Sequence, residues 1–378
     1  MSFIHSIQQN LTTAVLFWSI FGFSIAVSKL YQNKRIYCDL DGKVKIKNIS
    51  YIKRCLWTIL IIVFPSLLIG FRNYEVGVDT IDYVAGYLRL AFEHTPFDRW
   101  DRILYSFFRY GIFILSNGNP TFFLFSIAFV TLFILVRALD KWADKISIPM
   151  ALFVYYALFG MQLLNQSRQL IALSILFYAI PYLLERKYTK YLLCILIASL
   201  FHFTASIGII FALLYFKKDY YTPVKKALFY TAWLLSPVLM YPLLTIANRL
   251  VPGSYRGYLK IATYGGTGFG FILTIIPIII PIFFYRRYIV DNASKYLARI
   301  ALLTYPLRFA GYYSYYLMRL NYYSSVYMVL VIPLIIENVK SKSKKRFIKL
   351  VIITILMTYY IVHYMYLDAG SMFPYEIR

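Results

Sequence analysis

Apolar residues form long runs, separated by short polar segments, along the whole chain of 378 residues. About 20 consecutive apolar residues suffice for a helix to cross the ~30 Å hydrocarbon core of a bilayer. The pattern therefore predicts an all-α polytopic integral membrane protein with about ten transmembrane helices, in a single membrane domain of residues 1–378. The predicted spans lie near residues 11–28, 55–71, 120–136, 147–164, 166–184, 227–247, 271–285, 300–317, 323–337 and 350–367.

Two further apolar segments do not fit this scheme. Residues 191–216 are flanked by basic residues and are too few for two full spans, so we expect a re-entrant hairpin that turns near His202. The segment of about 98–116 is short and carries Arg109, which predicts an extracytoplasmic amphipathic helix. The stretches of about 72–119 and 248–270 are expected to be extracytoplasmic loops.

The composition agrees with a membrane protein. The chain is 60% hydrophobic and only 15% charged, whereas a soluble domain carries about 25% charged residues. The net charge of +24 then indicates basic membrane anchors in contact with lipid, and no nucleic-acid partner is expected. Placing the basic loops in the cytoplasm puts both termini on the extracytoplasmic side.

With this topology, the two kinds of basic residue divide unequally across the membrane. The cytoplasmic loops hold 20 Lys and 8 Arg, whereas the remaining positions hold 11 Arg and the single Lys260. Topology requires positive charge inside but does not select the residue type. The bias to Arg outside therefore suggests planar guanidinium groups placed for bidentate contacts with phosphate or carboxylate.

Two of these Arg residues stand next to the ends of predicted spans. Arg72 leaves a span directly at the outer membrane surface. Arg168 opens a helix, where backbone N–H groups favour an anion. Both are candidate phosphate ligands, although a simple capping turn would explain the neighbouring Asn165 and Ser167 equally well.

A second pair of Arg residues lies in a Tyr-rich segment. Arg308 and Arg319 are eleven residues apart, which in a straight helix places them on one face with Tyr312 and with Tyr315 or Tyr316. Aromatic rings alternating with Arg suit a sugar-phosphate ligand. An interfacial aromatic belt with snorkelling Arg is the alternative explanation.

Three residues are candidates for acid–base chemistry. Glu75 and Asp79 follow Arg72 closely, and Gly77 allows a tight turn between them. A solvated loop of mutually paired charges would also explain them. His202 is the third candidate, because a polar group at a break in a membrane helix is costly to bury. A lone His in an apolar setting is more commonly structural.

Cofactor chemistry has no visible basis in the sequence. The four His and three Cys residues are scattered, so we expect no metal site, no disulfide framework and no cofactor. No predicted cytoplasmic loop is large enough for a nucleotide-sugar domain. A transfer reaction would then draw on an activated lipid-linked donor reached from outside.

Five short motifs follow one another along most of the chain. They are Arg72…Gly77-x-Asp79…Tyr83, Ser167-Arg168-Gln169…Ala172, Ala198-Ser-Leu-Phe-His202-Phe-Thr-Ala205, Arg319-x-x-Tyr322-Tyr323 leading to Pro333, and a tail ending in Pro374-Tyr375. In their order and spacing they resemble the EpsG/Wzy-type polysaccharide polymerases of bacterial envelopes.

The resemblance implies an enzyme of the bacterial inner membrane that joins undecaprenyl-diphosphate-linked oligosaccharide repeat units by glycosyl transfer at the outer face, without a metal. It also implies a chain-length co-polymerase and a flippase as partners. Arg308 with Arg319 would bind one diphosphate and Arg72 with Arg168 the other. Asp79, or else Glu75 or His202, would deprotonate the acceptor hydroxyl. Candidate sugar contacts are Tyr83, Gln169, Tyr312 and Tyr316.

Other functions are compatible with Arg residues in a membrane cavity. A flippase for the same lipid-linked sugars is one, although it should present charge to both faces in turn and often shows two related halves. Another lipid-linked-sugar-dependent glycosyltransferase or an O-antigen ligase is a second. An integral membrane acyltransferase is a third, and it would require a His-centred site.

Overall fold

A computed structural model of the protein describes residues 3–38, 44–46, 49–93, 95, 100–216, 223–250, 275–313 and 315–378. Within these residues the chain is almost entirely helical, as expected. Its packing divides it into two compact units. Unit 1 comprises Met1–Ser206 and Leu356–Arg378, and unit 2 comprises Ile207–Ile355.

Unit 1 contains most of the long helices. Its elements are α1 (Phe3–Arg35), a strand pair (Ile36–Cys38 and Val44–Ile46), α2 (Tyr51–Gly70), α3 (Thr80–Leu88), α4 (Leu90–Glu93), a 3-10 turn (Trp100–Arg102), α5 (Ile103–Leu115), α6 (Pro120–Asp140), α7 (Ile148–Phe159), a 3-10 turn (Met161–Leu164), α8 (Ser167–Leu184), α9 (Tyr188–Phe201) and a 3-10 turn (Phe203–Ser206). The two short strands are antiparallel and were not predicted.

Unit 2 consists mostly of shorter helices, with the exception of a helix of 28 residues, Pro223–Leu250. Its helices are α10 (Ile207–Phe216), α11 (Pro223–Leu250), α12 (Ile276–Tyr288), α13 (Asn292–Leu302), α14 (Thr304–Tyr313), α15 (Tyr315–Met318), α16 (Asn321–Ser325), α17 (Met328–Glu337) and α18 (Lys342–Tyr360), whose last turns belong to unit 1 and continue as a π-helix (Ile361–Tyr366). Most of the predicted loop 248–270 lies outside the described residues.

Five described helices are long and apolar enough to cross a membrane, and several apolar helices are shorter. The long ones are Asn10–Arg35, Tyr51–Gly70, Pro120–Asp140, Ser167–Leu184 and Lys342–Tyr366. They confirm a multi-pass membrane protein. The number of ten spans and the orientation of the termini stay predictions.

The expected interruption at His202 is present. Helix α9 ends at Phe201, and His202 has extended backbone angles, with φ −156° and ψ 110°. A 3-10 turn and α10 follow. The break in the helix is thus confirmed, while the re-entrant path of the two halves stays a prediction.

The predicted span near 300–317 is not one straight helix. It is divided among α13, α14 and α15, and a Cβ atom placed on Gly311 would stand 2.7 Å from the Cα atom of Met318. In a straight helix two residues seven positions apart are separated by about 10 Å. The prediction that Arg308 and Arg319 share one face over three helical turns is therefore wrong. Glycine at position 311, which has no side chain, permits the close approach of the two backbone segments.

The opposite ends of α2 in unit 1 carry different polar clusters. The helix has 20 residues, which corresponds to about 30 Å. At its start lies the Asp140 end, defined by Tyr31, Arg35, Arg54, Arg137 and Asp140. At its finish lies the Arg72 end, defined by Arg72 and the segments packed around it.

The Asp140 end is an ion-pair cluster around one buried carboxylate. Arg35 pairs with Oδ1 of Asp140, and Tyr31 donates to the same oxygen at 2.7 Å. Oδ2 lies 3.2 Å from Arg137 Nη1 and 3.8 Å from Arg54 Nη1. Helices α1, α2 and α6 are thereby tied together through a single acidic side chain.

Candidate functional site

Arg72 is buried at the end of α2, with only 1% of its surface exposed. Its guanidinium donates from Nη1 to the carbonyl of Ile69 at 2.7 Å, from Nη2 to the carbonyl of Leu164 at 3.0 Å, and from Nε to the hydroxyl of Thr80 at 3.2 Å. Burial lowers the pKa of Arg72 to about 10, so the side chain is still protonated at neutral pH. Because the side chain is almost fully buried and three of its five N–H donors already bind protein acceptors, this arrangement does not favour the predicted direct contact of Arg72 with a diphosphate.

Thr80 contacts the same Leu164 carbonyl as Arg72 and also accepts a hydrogen bond from Arg72. Its hydroxyl oxygen lies 2.7 Å from the Val76 carbonyl and 3.0 Å from the Leu164 carbonyl, and its single proton is shared between these two acceptors. Thr80 is the first residue of α3, so Arg72 and Thr80 together join the end of α2, the start of α3 and the 3-10 turn that precedes α8.

That 3-10 turn opens a run of buried polar residues. Helix α7 ends at Phe159 and α8 begins only at Ser167. Between and just beyond these points, five polar side chains are each less than 7% exposed. They are Gln162, Asn165, Gln166, Ser167 and Gln169. Such a concentration of buried polar side chains at a helix break is typical of a segment that is enclosed by protein or lines a polar cavity rather than facing lipid.

Asn165 connects three segments that are far apart in the sequence. Its Oδ1 accepts from the backbone N–H of Asp79 at 3.4 Å, and its Nδ2 donates to the carbonyl of Gly370 at 3.0 Å. The Asp79 loop, the start of α8 and the C-terminal tail (residues 367–378) therefore meet at one amide side chain.

The C-terminal tail also binds the Arg72–Asp79 loop directly. The N–H of Gly77 donates to the carbonyl of Ser371 at 2.8 Å, and Asn73 donates to that of Glu376 at 2.8 Å. The tail is further fixed by Tyr375, whose ring packs edge-on against Phe17 with centroids 5.1 Å apart. The tail that carries the fifth motif thus lies against the first motif and against Asn165, two residues before the second.

Arg168 lies between aromatic rings at the first turn of α8. Its guanidinium carbon is 5.6 Å from the centroid of the Tyr83 ring and 5.4 Å from that of Tyr105. Asp101 is also within electrostatic range. The side chain is only partly buried, and its Nε has no hydrogen-bond partner in the described part of the chain. Arg168 therefore keeps donor capacity and a net positive charge for an anion.

The aromatic neighbours of Arg168 are held by a packed apolar cluster. Val84 and Tyr87 of α3, Tyr105 of α5, Phe123 of α6 and Ile171 of α8 belong to it. The rings of Tyr87 and Phe123 stack with centroids 4.2 Å apart. Because the cluster joins four helices, it fixes Tyr83 and Tyr105 relative to the start of α8.

The candidate bases occupy different positions around this end. Asp79 is half-buried at the residue before α3, whereas Glu75 is exposed. His202 is half-buried, and the adjacent Phe201 packs edge-on against Phe108 of α5, with centroids 6.2 Å apart. Asp79 is the candidate that the structure ties to Asn165, three residues before Arg168.

The remaining predicted site residues lie in the first turn of α8, in unit 2, or outside the described residues. Gln169 is buried in the first turn of α8. Arg308 and Arg319 are half-buried in unit 2, and the side chains of Tyr312 and Tyr316 lie outside the described residues. The structure thus brings together Arg72, Asp79, Tyr83, Arg168 and Gln169, all from unit 1.

Sequence reasoning missed helix α3, the bridging role of Asn165 and the docking of the tail. The glycines at positions 77 and 370 were the signals available in the sequence, because glycine often marks a positive φ angle or a close backbone approach. In the structure their φ angles are 92° and 107°. Among the described residues, no group of three His, Cys, Asp or Glu side chains is placed to hold a metal ion.

The fold and site define a multi-pass membrane protein with a buried polar junction at one end of a helical unit. The chain matches the EpsG family over residues 55–377 and belongs to it, the EpsG/Wzy-type polysaccharide polymerase family. The matched region includes the Arg72 loop, the start of α8 and nearly all of the tail. Membership indicates a polysaccharide polymerase-like, glycosyltransferase-like function with lipid-linked sugars as the substrate context. Neither a curated protein nor a solved structure matches the chain.

Proposed function

We propose that the protein is a glycosyltransferase that polymerises oligosaccharide repeat units carried on undecaprenyl diphosphate, at the outer face of the bacterial inner membrane. The observation that carries the proposal is the position of Arg168. It lies at a helix start, between two tyrosine rings, three residues from the amide that holds the Asp79 loop.

In the proposed reaction, a hydroxyl of the acceptor sugar attacks the anomeric carbon of the donor sugar. The bond between that carbon and the diphosphate oxygen breaks, and undecaprenyl diphosphate leaves with the electron pair. Asp79 takes the proton of the attacking hydroxyl, and Glu75 or His202 is the alternative base. No metal is required, because guanidinium groups stabilise the charge that grows on the leaving diphosphate.

Arg168 is the proposed ligand of one lipid diphosphate, and Arg308 with Arg319 of the other. Arg72 takes a supporting role in this proposal, because its side chain is buried and held by Ile69, Thr80 and Leu164. Tyr83 and Gln169, next to Arg168 in space and in sequence, are the proposed sugar contacts in unit 1, and Tyr312 with Tyr316 those in unit 2.

Reconstitution tests the proposal. Purified protein in phospholipid vesicles is supplied with undecaprenyl-diphosphate-linked repeat units, and the glycans are separated on a gel. A ladder of products spaced by one repeat unit is expected. Unchanged substrate would contradict the proposal, and if that substrate had also moved between leaflets, a flippase would be the better assignment.

A further inference from the structure

The amide of Asn165 bonds both the Asp79 loop and the C-terminal tail. It is 6% exposed, and both of its ends are used, Oδ1 by the N–H of Asp79 and Nδ2 by the carbonyl of Gly370. A buried amide with both ends engaged has one preferred orientation. Its two partners are therefore held at fixed positions relative to each other.

Two glycines make this junction possible. A Cβ atom on Gly77 would stand 2.6 Å from Oδ1 of Asn165, and a Cβ atom on Gly370 would stand 2.5 Å from Nδ2. Both distances are far below van der Waals contact. Both glycines also have positive φ angles, which side-chain-bearing residues rarely adopt. The loop and the tail can approach Asn165 only because neither carries a side chain at these positions.

The tail has its own internal support, so it can act as a fixed partner. The carboxylate of Asp368 accepts from the N–H groups of Met372 at 3.0 Å and Phe373 at 3.3 Å. From this turn, the carbonyls of Gly370 and Ser371 accept from Val78 at 3.3 Å and Gly77 at 2.8 Å. The tail is thus hydrogen-bonded to the two residues directly before Asp79.

We propose that Asn165 is a positioning residue through which the C-terminal tail fixes Asp79 for glycosyl transfer. The inference rests on the proposed function, in which Asp79 is the base. In this role Asn165 touches neither substrate nor the reacting atoms. It holds the backbone of the base at a set distance from Arg168, because Asn165 and Arg168 belong to the same short segment.

A double-mutant cycle tests whether the C-terminal tail acts on Asp79 through Asn165. Asn165→Ala and Gly370→Ala are each expected to lower kcat for ladder growth about tenfold, which is the loss expected for one misplaced hydrogen-bonded group, with little change in KM for the donor. If the tail acts through Asn165, the double variant is no slower than the slower single variant. Losses that multiply would overturn the proposal. Asn338→Ala, an exposed Asn in unit 2, and Gly22→Ala, where a Cβ meets no atom within 4 Å, are the matched controls.

A near-isosteric variant guards against simple misfolding. Asn165→Asp keeps the size of the side chain and the acceptor for the Asp79 N–H, but it loses the donor to Gly370 and places a carboxylate in a buried site. The unfolding temperature and the pH profile of kcat are therefore measured as well, because a second carboxylate near Asp79 would displace the pH profile, whereas loss of position alone would lower kcat at every pH. Hydrogen exchange at the amides of Gly77 and Val78 is expected to quicken, together with a fall in kcat, whereas Asn338→Asp changes neither. Unchanged exchange would overturn the proposal, and so would faster exchange with normal kcat. Absence of any ladder from the unmodified protein would instead contradict the proposed function, while the exchange result would still report on the junction.

Discussion

The two ends of α2 in unit 1 use arginine in different ways. At the Asp140 end, Arg35, Arg54 and Arg137 are gathered on one carboxylate whose side chain is 4% exposed. At the Arg72 end, Arg72 is bound by two carbonyls and a hydroxyl, and Arg168 by aromatic faces.

The two ends differ in the kind of group that stabilises the positive charge of the guanidinium groups. A carboxylate cancels a full positive charge and closes the cluster, whereas carbonyl dipoles and ring quadrupoles stabilise a cation without cancelling it. At the Arg72 end, the three acceptors of Arg72 include no carboxylate, while Arg168 has a hydrogen bond with Tyr83 and Asp101 within electrostatic range. A guanidinium that is stabilised mainly by dipoles and rings retains its attraction for an anionic ligand. The Asp140 end is a structural tie between three helices.

The largest expected effect comes from removing the shared carboxylate. Asp140→Asn would leave three guanidinium groups close together with only the exposed Asp144 within electrostatic range of Arg35, and the loss of one partner from a buried ion pair costs about 3–5 kcal/mol. We expect a clear fall in the unfolding temperature of the purified protein. Asp82→Asn, an exposed residue of α3 outside this cluster, is the control, because Asp144 itself acts on Arg35. Equal unfolding temperatures for the two variants would show that Asp140 does not organise this end.

At the opposite end, the corresponding change should affect catalysis and leave stability intact. Asp79→Asn is expected to slow ladder growth by about 10²–10⁴-fold, the usual contribution of a general base, with little change in unfolding temperature. The control is Asp82→Asn, an exposed residue in the first turn of α3. If Asp79→Asn polymerises at the normal rate, the base must be sought at Glu75 or His202.

Arginine-to-lysine exchange separates the two Arg residues of the Arg72 end. Arg168→Lys keeps the charge but loses the planar fork, so we expect ladder growth to fall by about 10²-fold at unchanged stability. Arg72→Lys cannot reproduce three directed donors in a buried site, so we expect a stability loss of about 1–3 kcal/mol. Arg287→Lys, exposed in unit 2, should change neither property. Reversal of the two results would exchange the roles assigned to Arg72 and Arg168.

Sequence reasoning succeeded where one-dimensional pattern determines structure. Apolar runs located the long helices, and the polar His202 marked a real break. It failed where the chain folds back on itself: at Gly311 a straight helix was assumed, and the true approach of Met318 depends on a missing side chain. The contact of Asn165 with Gly370 spans 205 positions, and hydrogen bonds of this kind leave no periodicity. The motif order nevertheless identified the family, because recognising motifs in a known order does not require knowledge of which segments are in contact.

The smallest predicted effect concerns the turn that shapes the C-terminal tail. Burial raises the pKa of the Asp368 carboxyl, although the N–H groups of Met372 and Phe373 partly oppose this shift. The folded protein then holds the proton more tightly than the unfolded chain does. The stabilising contribution is fully present below the ordinary pKa of 3.8 and is lost as pH rises through the raised value.

In Asp368→Asn this dependence should disappear, because the amide oxygen still accepts both N–H groups and carries no charge. Between pH 4 and pH 7 we expect the unfolding temperature of the variant to gain about 1 °C relative to the unmodified protein, with Asp82→Asn, exposed in α3, as control. Parallel curves for Asp368→Asn and the unmodified protein would show that this carboxylate does not tune the docking of the tail.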